Sequence, residues 1–166
     1  MSGAKRRSFE AGHRPKFMVV VDGTPECGRA IHFATRRCTR TGASLLMLGV
    51  AIPPEGFEWL GVGDTLRAEA EEETATLVAD AADQVRSGAG LEPEQVVRTG
   101  EKSEAILALI EEDQDISFLV LAAGTGSSGP GPLVSAIAAM SGSTFPIPVV
   151  IVPGDLTDEE IEALAG

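Results

Sequence analysis

The chain has 166 residues, of which 43% are hydrophobic and 4% aromatic, and it carries a net charge of −12 at pH 7. That length and aliphatic content suffice for the core of one domain without disulfide staples, and they argue against disorder. An acidic surface repels phosphate backbones, so no nucleic-acid partner is expected, and no apolar run of ~20 residues suggests a membrane span.

The charge is unevenly spread. Basic residues cluster between Lys5 and Arg40, and beyond Lys102 every charged side chain is acidic. We read this distribution chiefly as a means of solubility. Residues 1–16 contain basic residues without the apolar run of a signal peptide, and are expected to be a flexible polar tail. Cys27 and Cys38 are the only cysteines. On one helix they would share a face about 16 Å apart, beyond disulfide reach. Two unpaired thiols point to a reducing, cytoplasmic compartment.

In chain order, Phe17-Met18-Val19-Val20-Val21 is a continuous apolar run of the kind that forms a buried strand. It ends in Asp22-Gly23-Thr24-Pro25, where Thr24 could cap a helix and Pro25 could begin it. That helix is expected to reach Thr41, with Ala30, Phe33, Ala34 and Cys38 inward and Arg29, Arg36, Arg37 and Arg40 outward. A second strand follows over Ser44–Ile52, then a Pro/Gly loop holding Trp59, read as a lid, an interface anchor or a half-buried loop aromatic. A long helix is expected over Asp64–Ser87, inward at Leu66, Ala70, Leu77, Ala81 and Val85, with the Glu69–Glu73 run as its solvated face. A third strand (Gln95–Thr99) and a third helix (Lys102–Glu112) come next. The fourth strand (Ser117–Ala123) leads through a glycine-rich loop into a fourth helix (Leu133–Met140). A fifth strand (Pro148–Val152) and a short acidic helix within residues 154–166 (Asp158–Leu164) complete the series.

Strands alternating with helices imply right-handed crossovers: an α/β domain over residues 17–153, with an open, mostly parallel five-stranded sheet and helices on both faces. In such sheets ligands bind beyond the carboxyl ends of the strands, where strand order reverses. The candidate site therefore comprises Asp22, Gly23 and Thr24, the end of the second strand near Val50, and the loop from Ala122 to Pro132. In that loop Gly124, Thr125, Gly126, Ser127, Ser128 and Gly129 could present backbone and hydroxyl donors to a phosphate. It reads equally as a strand-to-helix connection shaped by Pro130 and Pro132.

The run Val20-Val21-Asp22-Gly23-Thr24, the segment Thr99-Gly100-Glu101-Lys102-Ser103-Glu104-Ala105-Ile106 and the last strand Ile147-Pro148-Val149-Val150-Ile151-Val152 together resemble the universal stress protein family. The similarity covers about Phe17 to Pro153. It implies an adenine nucleotide alpha hydrolase-like, Rossmann-like fold and a stress-response role. It also implies ATP or AMP as a possible ligand, with Asp22 accepting from adenine or ribose. Nucleotide-binding members carry Gly-x2-Gly-x9-Gly followed by Ser or Thr. Here those positions fall on Ala122, Thr125, Ser135 and Ala136, so the glycines and the hydroxyl residue are replaced. The resemblance thus implies a degenerate nucleotide site, with Ser135 at one motif position.

Other chemistry finds little footing. His13 and His32 show no zinc-ligand spacing, and Ser127 or Ser128 as a nucleophile would lack a downstream histidine base. Gly124 to Gly129 satisfies GxGxxG but follows the fourth strand rather than the first. The expectation is a non-catalytic regulatory protein that forms a homodimer through the uncharged edge strand 148–152 and acts through a protein partner. The alternative is an ATP- or AMP-binding stress sensor using the altered loop 122–132. A small hydrolase or transferase on the same sheet is the third reading.

Overall fold

A computed structural model describes residues 5–56, 58–140 and 145–166. The elements run β1 (Lys16–Val20), α1 (Cys27–Thr41), β2 (Ser44–Ala51), α2 (Gly63–Ala89) and β3 (Glu94–Thr99). They continue with α3 (Lys102–Glu112), β4 (Ile116–Ala123), α4 (Pro132–Met140), β5 (Val149–Pro153) and α5 (Asp158–Leu164). All five strands are parallel, in the order β3-β2-β1-β4-β5.

Alternation along β1 feeds two cores. Phe17 and Val19 face a cluster with α1, α2 and α5, whereas Met18 and Val20 face one with α3 and α4. Both faces of β1, β2 and β4 are covered, which explains why these strands are near-continuous aliphatic runs. Phe17 and Phe118 stack across β1 and β4 with ring centroids 4.6 Å apart.

The start of α1 differs from expectation. Thr24 does not cap it; the Thr24 amide and hydroxyl both donate to Asp22 Oδ1, at 3.1 and 2.7 Å. The helix begins at Cys27, with Glu26 as the flanking residue. The asparagine-like turn made by Asp22 uses the hydroxyl that would otherwise have served the helix.

The buried seam of α2 is also rotated from the one expected. It comprises Val78, Ala82 and Val85, while Leu77 remains 37% exposed. The cause lies on β2. A Cβ on Gly49 would stand 2.5 Å from Val78 Cγ2 and 2.7 Å from Thr74 Cγ2. Glycine there lets α2 sit directly on the sheet through those two β-branched residues. The acidic run on α2 is not wholly solvated either, since Glu71 accepts from the Thr99 hydroxyl at 2.5 Å.

Three of the α1 arginines expected to point outward, Arg29, Arg37 and Arg40, hold the C-terminal segment. Arg29 pairs with Asp158 at 2.6 Å and donates to the Leu156 carbonyl, and Arg37 donates to the Ala165 carbonyl at 2.8 Å. Ile161 of α5 is fully buried, and Thr157 with Glu160 forms a capping box at the start of that helix. The early basic and late acidic residues thus meet across α1 and α5.

The expected tail is laid against the domain over residues 5–15, and Lys16 opens β1; residues 1–4 lie outside the described residues. The Arg6 guanidinium donates to the carbonyls of Ile110 and Ile116 at 2.8 and 3.0 Å, and Ser8 is buried. These contacts lie at the amino ends of β1 and β4, away from the candidate site. Trp59, in a single 3-10 turn, is 80% exposed, which removes the half-buried reading and leaves it free to meet a partner or a ligand. Cys27 and Cys38 are buried free thiols. Among the described residues no helix is long and apolar enough to cross a membrane.

Candidate functional site

Strand order reverses between β1 and β4, because the chain proceeds from β1 toward β2 and β3 on one side and then crosses to β4 on the other. At their carboxyl ends lies a small cavity. Asp22, Thr24, Glu26 and Cys27 line one side, and Ala122 with Pro130 to Val134 line the other. Lys102, the first residue of α3, completes it.

Asp22 is held in two directions. Its Oδ1 accepts both donors of Thr24, and its Oδ2 lies 4.0 Å from Lys102 Nζ. Gly23 between them has φ +73°, the left-handed conformation that lets this turn close. The Cys27 thiol donates to the Val20 carbonyl at 3.4 Å. Burial chiefly pushes its pKa up to about 11, so it is a protonated, inert thiol at neutral pH.

The glycine loop folds onto itself. Gly124 N–H donates to the Pro130 carbonyl and Gly129 N–H to the Gly126 carbonyl, at 2.9 and 3.1 Å. Two amides expected to face a phosphate are therefore occupied. Thr125, Gly126, Ser127 and Ser128 are exposed and do not line the cavity. Glu26 adds a carboxylate whose Oε1 lies 3.3 Å from where a Cβ on Gly124 would stand. Close packing continues at Gly154, where a Cβ would fall 2.4 Å from the Ala123 carbonyl oxygen and 2.9 Å from Glu26 Cβ.

Of the residues expected at the site, the fold brings Asp22 and Thr24 to the cavity wall and Gly23 to the turn between them. Val50 is buried in the α3–α4 core instead. Ser135 is an exposed residue of α4 whose amide donates to the Gly131 carbonyl. The Pro130–Pro132 end of the expected loop reaches the wall, whereas Lys102, Glu26, Cys27, Leu133 and Val134 were not among the expected site residues. Lys102 could have been found, because it follows the carboxyl end of β3 and so belongs to the same sheet edge as Asp22.

Two features suit an anion. Among the described residues Lys102 is the one cationic side chain on the wall, and the α4 amides of Leu133 and Val134 lie in a first helical turn, where they have no intrahelical acceptor. Two features oppose a large one. Asp22 and Glu26 place two carboxylates beside Lys102, and the cavity encloses about 90 Å³. Ligand pockets span roughly 300–1,000 Å³.

Comparisons with known proteins agree with this architecture. Residues 13–153 match the universal stress protein family. Among solved structures, universal stress protein UspA from Lactobacillus plantarum superposes with a TM-score of 0.69 at 17% identity, covering 83% of this chain and 97% of that one. A universal stress protein in complex with cAMP gives 0.62 at 17% identity, covering 83% and 96%. One from Archaeoglobus fulgidus in complex with dAMP gives 0.52 at 18% identity, covering 83% and 96%. Comparison with curated protein sequences finds no match. The all-parallel sheet with its β1–β4 crevice and the match over most of its length agree: the chain belongs to the universal stress protein family.

Proposed function

We propose that this protein is a non-catalytic, cytoplasmic regulator of the stress response that works as a homodimer and through a protein partner, with a nucleotide site narrowed below the size of ATP. The observation carrying this reading is the β1–β4 cavity of about 90 Å³, walled by Pro130, Pro132 and Glu26. A triphosphate would bring several negative charges to a wall whose own carboxylates already exceed its single ammonium. A non-catalytic role is supported by the raised pKa of the Cys27 thiol, and by His13 and His32 pairing with Asp115 and Asp158 outside the cavity. Dimerisation is supported by β5, which among the described residues pairs only with β4 and leaves Ile151 42% exposed on the sheet edge. The two free thiols suit a reducing compartment.

A second reading has its own support. Lys102 and the free first-turn amides of α4 could receive one phosphate, so a monophosphate such as AMP is a better fit than ATP. Calorimetric titration of ATP, ADP and AMP, with and without magnesium, separates the two. The narrowed-site reading expects no ATP binding at millimolar ligand, and tight ATP binding would overturn it. Saturable AMP binding alone would establish the sensor reading.

A further inference from the structure

The helix α2 overhangs the sheet. Thr74 and Val78 pack on Gly49 near the end of β2, and Glu71 accepts from Thr99, the last residue of β3. Residues 63–70 precede both anchors and so reach about 12 Å past the carboxyl edge. From Gly63 to Leu77 no residue of α2 is buried; Val78 is the first that is. Trp59 and Leu60, in the 3-10 turn packed on the start of this helix, are 80% and 51% exposed, and Val62 is exposed as well.

Apolar and acidic groups share one face of this overhang. Val62, Leu66, Glu69, Glu73 and Leu77 follow at intervals of three and four residues, which sets them in a single stripe. Arg67, the only cation between Gly63 and Leu77, stands 3.9 Å from Glu71. Asp64, Glu69, Glu72 and Glu73 join no ion pair among the described residues. Glu69 and Glu73, one turn apart, repel each other, and no cation of this fold relieves them. An exposed tryptophan and its apolar neighbours, rimmed by unpaired carboxylates, complement a segment that is itself apolar and basic. A second copy of the overhang would bring the same carboxylates against these, and a phosphate-bearing ligand would bring further negative charge.

We propose that the overhanging start of α2, with the 3-10 turn before it, is a docking surface for a basic amphipathic helix of a partner protein. Apolar side chains of that helix cover Trp59, Leu60 and Val62, and its cations meet Glu69 and Glu73. The proposal rests on the reading that this protein works through a protein partner, and it names that partner's chemistry. Helices of this kind lay their apolar face against an exposed apolar surface and place their charges at its rim. The surface is separate from the edge strand β5, so a dimer paired through β5 leaves it open.

Trp59 reports on its own surface, because the chain has one tryptophan and no tyrosine. The probe is a peptide of leucine and lysine, about 15 residues long and patterned as an amphipathic helix. Titrated into the full-length protein, it should shift Trp59 emission to the blue in a saturable way that weakens with salt. The same pattern built from leucine and glutamate should do nothing. By calorimetry, Glu69→Lys/Glu73→Lys and Leu60→Ala should each weaken the lysine peptide by about tenfold. Asp155→Lys/Glu159→Lys, an equal charge change on exposed residues elsewhere, should alter it by less than about twofold. The proposal is overturned by no shift at about 1 mM peptide, by an equal shift with the glutamate peptide, or by equal weakening in the two reversed pairs. Heat of binding without a Trp59 shift would put the basic segment elsewhere, which overturns this surface and leaves the partner-mediated reading standing. Emission that shifts with protein concentration alone would place a second copy here, and would also overturn it.

Discussion

Lys102 Nζ stands 4.0 Å from Asp22 Oδ2, joining the start of α3 to the turn that ends β1. The two residues are far apart in sequence, yet both follow carboxyl ends of parallel strands and so meet above the same sheet edge. The ammonium can neutralise Asp22 or turn toward an incoming anion, and the second choice leaves Asp22 and Glu26 as like charges in a small space.

Replacing Lys102 should therefore act on anion binding specifically. If AMP binds, Lys102→Met is expected to weaken it by about tenfold and to flatten its dependence on ionic strength. Calorimetry at two salt concentrations measures both. Equal affinity with an unchanged salt response would remove Lys102 from the site.

The close approach of α2 to β2 makes a stability prediction of opposite signs. Gly49→Ala forces a methyl group against Val78 and Thr74 and should destabilise the fold by about 1–3 kcal/mol. Gly88→Ala, in α2 with nothing within 4 Å of the added carbon, should stabilise it by about 0.5–1 kcal/mol. Urea midpoints of the two variants against the parent check the pair. Both shifting the same way would contradict the packing.

The edge of the sheet sets the expected assembly. Sedimentation velocity should find a homodimer at about ten micromolar protein. Ile151→Lys should give a monomer with unchanged circular dichroism, because a charge on an exposed edge strand opposes strand pairing. A parent protein that sediments only as monomer would sink the dimer.

Two carboxylates tie stability to acid pH. Asp158 is held below its usual 3.8 by the hydrogen bond and charge of Arg29, and Glu101 below its usual 4.5 by the Glu104 and Ser103 amides it caps. Lowered folded-state values mean that their stabilisation is present above those usual values and fades as pH falls through the folded ones. Thermal melts from pH 6 down to about pH 3 should show this decline. The Asp158→Asn/Glu101→Gln double variant should start less stable and decline less steeply. An identical slope would show that neither group contributes.

Burial, the leading cause, pushes Cys27 up to about 11 and Cys38 up to about 12. Both thiols should resist a disulfide reagent at pH 7 in the folded state and react fully in denaturant. Rapid labelling of the native protein would contradict their burial.

Much of the architecture could be read locally. The aliphatic runs, their spacing by helical segments and the punctuation by Gly and Pro indicate a parallel α/β sheet, and the bounds expected for α3 and α5 coincide with those observed. These signals are carried by neighbours in the chain, which is why composition and periodicity reveal them. The region of the candidate site follows too, since Asp22 and the loop after β4 must both lie at the carboxyl edge of a parallel sheet.

What the residues alone determined is thus the order and kind of the elements, the edge of the sheet that bears the candidate site, and the loss of the glycine pattern at Ala122, Thr125 and Ser135. Tertiary structure decided which face of α2 is buried, because Gly49 admits Val78 and Thr74. It turned Arg29 and Arg37 of α1 toward the C-terminal segment, and it curled the glycine loop so that Pro130 rather than Ser127 meets the cavity. Each of these outcomes depends on the steric and electrostatic fit of residues distant in the chain, and no local period records such a fit.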